Sequence, residues 1–196
     1  MNAKISELVS KIKDLEEEVE AEVAKRRTEL HFSLEEKKVR FEQTILEEHR
    51  RLKTGLFQYL RQAKLRNVLS APIIYGMFFP LLLLDLSVSI YQWTCFPLYR
   101  IPIVRREDFF IYDRHHLAYL NIIEKFHCAY CAYANGLAAY IKHIIALTEQ
   151  YWCPIKHARR ILEAHSRYGH FVDFGDAETY RKKLDVLRRD FGPDVE

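Results

Sequence analysis

The sequence predicts an all-α chain in three parts: a rod over residues 1–66, an apolar segment over 67–99 and a helical domain over 100–196. Three observations predict it. Apolar residues recur at steps of three and four near the N-terminus, a run of 33 residues carries one charge, and alternating strand-like patterns are scarce throughout. The net charge of +3 over 196 residues is small and unevenly spread. That balance argues against nucleic acid as a partner, since phosphate binding needs concentrated Lys and Arg.

The rod comes first. Ile5, Leu8, Ile12, Leu15 and Val19 trace an a/d seam of about two heptads, which falters at Glu22. Beyond it Leu30, Leu34, Phe41, Ile45, Leu52 and Leu56 step by four and seven. No Pro interrupts residues 1–71, so one long helix, or two with a hitch near Arg26–Thr28, is expected from about residue 3 to 68. So thin a stripe does not bury itself, and self-association into a homo-oligomer is expected of it. The N-terminus opens into charged residues rather than an apolar run, so no signal peptide is expected there.

The segment from Asn67 to Tyr99 follows. Pro72 to Trp93 supplies the roughly 20 apolar residues that a membrane-crossing helix needs. Tyr75, Tyr91, Trp93 and Tyr99 resemble interfacial anchors. Pro80 must kink or break the helix, and Asp85 is expensive in hydrocarbon unless it is protonated or pairs with a basic or hydrogen-bonding residue of the C-terminal domain, a proton or ligand site being the sharper alternative. Lys53, Arg61, Lys64 and Arg66 precede the segment; Arg100, Arg105, Arg106 and Arg114 follow it. Basic flanks on both sides place both in the cytoplasm, which favours a re-entrant hairpin or an interface-embedded segment over a single span. A lipid bilayer is therefore the expected partner, with a buried core helix of a soluble domain as the alternative.

In residues 100–196, Asp113 is expected to cap a helix through "RHHLAYLNIIEKFHCAYCAYA", ended or bent by Asn135-Gly136. "LAAYIKHIIAL", "PIKHARRILEAHSRYG" and "AETYRKKLDVLRRDF" read as further helices, the second of these opened by Pro154 with Cys153 near its N-cap and the last started by Gly175-Asp176. The four cysteines carry the sharpest chemical expectation. Cys95, Cys128, Cys131 and Cys153 can complete a tetrahedral zinc site or hold an iron–sulfur cluster. Cys128-x-x-Cys131 with Cys153-x-x-x-His157 makes a second four-ligand set, because residues four apart share a helix face. His127 and Glu124 could join as ligands or support them. The competing expectation is small cysteines filling a core.

Other arrangements point less far. A single Glu-x-x-His, Glu124 to His127, falls short of the two that a di-iron bundle uses. His116, Glu124 and His127 around a metal would make a membrane-bound enzyme. Arg159 and Arg160, followed by the lone Arg167, read as a solvated face, with phosphates or lipid headgroups as the alternative partners. No Gly-rich phosphate loop, nucleophile elbow or H-E-x-x-H is present.

"DRHHLAYLN", "CAYCAYANG" and "TEQYWCPIKHARR" resemble stretches of a group of uncharacterised bacterial membrane-associated proteins. The resemblance covers about Ile101 to Asp190, implies a bacterial source, and assigns no activity. With the flank charges it gives the expected location, a bacterial inner membrane. The expected function is a membrane-anchored, metal-binding helical protein with a structural or electron-transfer role and, in the latter case, a redox partner. The alternatives are a scaffold without metal and the metal-dependent enzyme.

Overall fold

A computed structural model describes residues 3–30, 32–35 and 38–192. The chain is all-α apart from one short hairpin, and it divides into two compact units, each built from two stretches of sequence.

The first unit holds residues 1–62 and 112–129. Helix α1 runs Ala3–Glu29 and then the expected rod stops. Strands β1 (Phe32–Glu35) and β2 (Lys38–Phe41) pair antiparallel, with Phe32 opposite Phe41 and Leu34 opposite Val39. The sequence alternates with period two there, Phe32 and Leu34 on one strand and Val39 and Phe41 on the other. This local pattern overrides the steps of four and seven that had suggested helix. Two short helices follow, α2 (Gln43–Arg51) and α3 (Leu56–Gln62). The His49 ring bridges the strands to the second stretch, standing edge-on to Phe41 at 5.4 Å and to Tyr119 at 5.1 Å between centroids.

The helix expected from Asp113 begins later. Asp113–His116 is only a 3-10 turn, and helix α6 runs Ile122–Trp152. Asn121 opens it through a reciprocal cap. Its side-chain oxygen accepts from the N–H groups of Ile123 and Glu124, both at 3.0 Å, while the Glu124 carboxylate accepts from the Asn121 N–H at 2.8 Å. Asn121-x-x-Glu124 thus supplies the box chemistry that the Asp113 reading overlooked.

The second unit holds residues 63–111 and 130–196. Helix α4 runs Leu65–Gly76 and α5 runs Phe78–Tyr99. The break falls between them at Met77, and Pro80 explains its position. The proline ring collides with the carbonyl four residues back, at Gly76, and cannot bond to it. Pro80 is accommodated in the first turn of α5, where its N–H would lack a partner anyway.

Nor does α6 end at Asn135-Gly136. Gly136 lies in its interior and is buried. A Cβ there would stand 2.7 Å from the Phe109 carbonyl oxygen and 3.2 Å from the Phe110 ring. The glycine serves close backbone approach, not helix termination. Around it sits the core: Phe96 of α5, Ile101 and Val104 of the connector, and Leu137, Tyr140, Ile144 and Leu147 of α6.

The expected helix "PIKHARRILEAHSRYG" does not form; its segment is irregular up to a 3-10 turn at Ser166–His170. Its backbone bonds go elsewhere. Val172 N–H donates to the Pro154 carbonyl at 2.9 Å and Lys156 N–H to the Val172 carbonyl at 2.8 Å, a parallel bridge that holds the segment extended. Glu163 takes a left-handed conformation, φ 55°, which a helix interior forbids. Helix α7 (Ala177–Leu187) forms where expected, capped by Asp176, but stops four residues short of Phe191.

Candidate membrane interface

Helix α5 is built inside out. An amphipathic helix in water buries its apolar stripe and exposes its polar one. Here the buried residues are Asp85, Gln92 and Phe96, spaced seven and four apart along one face. The other side exposes Phe79, Leu83, Leu86, Ile90 and Trp93, each more than half accessible. These five recur at steps of four and three, so they form one continuous stripe. The Leu65–Tyr99 stretch is long and apolar enough to cross a membrane, and its most apolar 18-residue window is only 6 % buried. A core helix of a water-soluble domain would be mostly covered.

The buried face is held by a polar network. Asp85 receives the Arg106 guanidinium as a two-pronged fork, at 2.5 Å to Oδ1 and 2.9 Å to Oδ2. Tyr133 of α6 donates to Oδ2 at 3.0 Å, and Ser89, one turn along α5, to Oδ1 at 3.4 Å. The guanidinium carbon also lies 4.5 Å from the centroid of the Phe110 ring and 5.3 Å from that of Tyr140. Bonding to Asp85 holds the Arg106 pKa above its ordinary value, against the opposite pull of burial. Two turns on, Gln92 matches the connector backbone. Its side-chain nitrogen donates to the Val104 carbonyl at 3.3 Å and the Tyr140 hydroxyl at 2.9 Å, and its oxygen accepts from the Val104 N–H at 3.0 Å. Every hydrogen-bonding group on this face of α5 has a partner, so the network fixes geometry rather than offering an open site.

The metal-ligand candidates are placed as follows. Cys128 and Cys131 lie one turn apart on α6, Cys131 exposed and Cys128 half-buried. Cys95 is half-buried on α5, with its sulfur 3.7 Å from the Thr94 hydroxyl. Cys153 follows the last residue of α6, exposed, with its N–H bonded to Glu149 of that helix at 2.7 Å. It caps no new helix, so Cys153 and His157 lose the shared helical face expected of them. His157 instead stacks on Tyr168, whose hydroxyl accepts from the His157 N–H at 2.7 Å. Glu124, one turn before His127, is engaged in the cap of α6. Among the described residues no three or more His, Cys, Asp or Glu side chains converge as a metal-holding group.

No protein-family model, curated protein or solved structure matches the chain.

Asp85 pairs as expected with a basic residue of the C-terminal domain, Arg106; Ser89 and Gln92, four and seven residues along the same face, extend the network. Arg167, expected on a solvated face, is instead buried. Its Nε donates to the Gln150 side-chain oxygen at 2.6 Å, and its terminal nitrogens donate to the carbonyls of Gly192 and Asp190, each at 2.6 Å. Gln150 in turn donates to the carbonyls of Leu187 and Asp190. A cation at these carbonyls just beyond α7 also meets the negative end of that helix.

Proposed function

We propose that this chain is a membrane-attached helical scaffold. The exposed stripe of α4 and α5 lies against lipid acyl chains, and the Asp85–Arg106 network shapes the element that carries it. The observation behind this reading is the inverted polarity of α5, which hides a carboxylate and an amide while leaving leucines uncovered. Water penalises that arrangement by about 25 cal/mol for each Å² of apolar surface left exposed, whereas a hydrocarbon environment removes the penalty. On α1, Ile12, Leu15, Val19 and Val23 are exposed along one side at near-heptad spacing. Their occupant in this reading is the same stripe of a second copy, so two chains share one scaffold.

The zinc or iron–sulfur reading finds less support, because only the Cys128–Cys131 pair keeps a shared helical face. Further ligands would have to come from residues that do not converge on it.

Flotation of the full-length protein with phospholipid vesicles in a density gradient tests the membrane reading. The wild type is expected to rise with the vesicles and the double variant Leu86→Lys, Ile90→Lys to remain below. A wild-type protein that stays at the bottom, monodisperse without detergent, would overturn it.

A further inference from the structure

The chain after α5 turns back along the helix it has just left. Arg100 adopts a left-handed conformation, φ 57°, and the Ile101 N–H bonds to the Phe96 carbonyl at 2.9 Å. Val104 has already reached Gln92, and Arg106 has reached Asp85. Asp85 lies fourteen residues before the end of α5, about 21 Å along its axis. The connector thus retraces two-thirds of the helix as irregular backbone, up to a single 3-10 turn at Arg106–Asp108. It is charged and wet on its outer side: Arg105 and Glu107 pair with each other, and their side chains are 73 % and 54 % exposed.

Such a connector is incompatible with α5 standing across a bilayer. Asp85 is near the centre of the apolar stretch, so Arg105, Glu107 and Asp108 would be carried to mid-membrane depth beside it. Irregular backbone facing lipid at that depth leaves polar groups unsatisfied, and exposed charges there are costly. The conflict vanishes if the helix axis lies parallel to the membrane surface. The connector then runs along the aqueous side, and the stripe Phe79, Leu83, Leu86, Ile90 and Trp93 faces the acyl chains. Exposed Lys64 and Arg66 before the stretch, and Arg100 after it, then sit at headgroup level, where their charge matches anionic lipids.

From this geometry we infer that α5 is seated in one leaflet of an anionic bilayer, lying in the interface and not crossing it. The inference rests on the membrane reading above and goes beyond it by fixing the orientation and the lipid chemistry.

Depth-dependent fluorescence quenching separates the possibilities. Phe79 and Trp93 lie seven residues either side of Leu86 on the same stripe, about 10 Å along the axis in each direction. Three full-length single-tryptophan proteins are needed. Trp152→Phe leaves Trp93; Trp93→Phe and Trp152→Phe combined with Phe79→Trp or Leu86→Trp supply the other two. All three sites lie on the exposed side of α5, outside the packed core, so folding is not at stake, and matching circular dichroism spectra and thermal transitions verify this. In mixed phosphatidylcholine–phosphatidylglycerol vesicles with spin labels at graded depths, in-plane seating gives one common shallow depth, and binding falls as phosphatidylglycerol is withdrawn. A span places the indole at position 86 about 10 Å nearer the bilayer centre than the other two, and that profile would overturn the inference while leaving the membrane reading intact. Binding that is indifferent to phosphatidylglycerol would overturn the anionic part. No quenching at any site, with no flotation of the wild type, would remove both.

Discussion

Arg106 grips Asp85 from a connector that has doubled back along Asp85's own helix, through two N–H···O bonds of 2.5 and 2.9 Å. The pair is asymmetric: the Asp85 side chain is 11 % exposed and that of Arg106 45 %. Removing the arginine therefore strands a carboxylate, whereas removing the carboxylate leaves a cation that can still reach solvent. Arg106→Leu is expected to cost about 2–3 kcal/mol and Asp85→Leu less. The double replacement should recover much of the loss, because no buried charge remains. Chemical denaturation of the three variants in detergent checks the order; an Arg106→Leu variant no less stable than the double one would contradict it.

Gly136 presses α6 against the Phe109–Phe110 backbone. Gly136→Ala must push that backbone away, since the obstacle at 2.7 Å is a carbonyl oxygen and not a flexible side-chain tip. The higher helix propensity of alanine favours the substitution by about 1 kcal/mol, but overpacking costs about 1–3 kcal/mol and wins. A lowered Tm is expected in differential scanning calorimetry. A raised Tm would show that the connector yields freely.

Asp176 caps α7 by accepting from the Thr179 N–H at 2.9 Å, and hydrogen bonding by Thr179, through its side chain first and its backbone second, lowers the Asp176 pKa below the ordinary value. Its carboxylate then stabilises the fold above the unfolded-state pKa of about 3.9, and the contribution disappears as pH falls through the folded-state pKa. Asp176→Asn retains a capping oxygen without the titration. Amide exchange in the first turn of α7 should accelerate in acid for the wild type but not for Asp176→Asn, beyond the shared intrinsic pH trend. Parallel profiles for the two would count against the assignment.

Exposed Leu15 and Val19 define the middle of the α1 stripe. Leu15→Asp with Val19→Asp should dissociate the chain into monomers in analytical ultracentrifugation, with helix content little changed. A wild type that already sediments as a monomer at micromolar concentration would sink the shared-scaffold reading.

The cysteine pair on α6 offers a direct comparison with the zinc and iron–sulfur expectation. Cys128→Ser with Cys131→Ser is expected to leave the thermal transition nearly unchanged, since neither thiol is fully buried and no third ligand group converges on them among the described residues. Elemental analysis of anaerobically purified wild type, run alongside, should find substoichiometric metal. Near-stoichiometric zinc or iron lost in the double variant would restore the metal reading.

The helical class and the apolar segment were legible because they depend on local periodicity and length. Asp176 and α7 were legible for the same reason, since a cap and its helix are neighbours in sequence. Long-range competition defeated the other boundaries. Pro154 reads as a helix opener, but Val172, eighteen residues on, takes up the Pro154 carbonyl and the Lys156 N–H instead. Gly136 looked like a terminator because the approach of Phe109 lies outside any local window. The interface itself was half visible: Asp85 in an apolar run called for a basic or hydrogen-bonding partner from the C-terminal domain, but which arginine meets it depends on the reversal of the chain at Arg100, which no local window shows.

The buried guanidinium of Arg167 has a consequence for the order of folding during synthesis. Its carbonyl partners at Asp190 and Gly192 are polymerised more than twenty residues after it. Until they emerge the cation has to remain hydrated, because an uncompensated charge is not buried. This corner of the second unit therefore closes late, after α5 and its connector have had the opportunity to pair. A nascent chain stalled before Asp190 should accordingly show protease sensitivity around Arg167 that the released chain has lost.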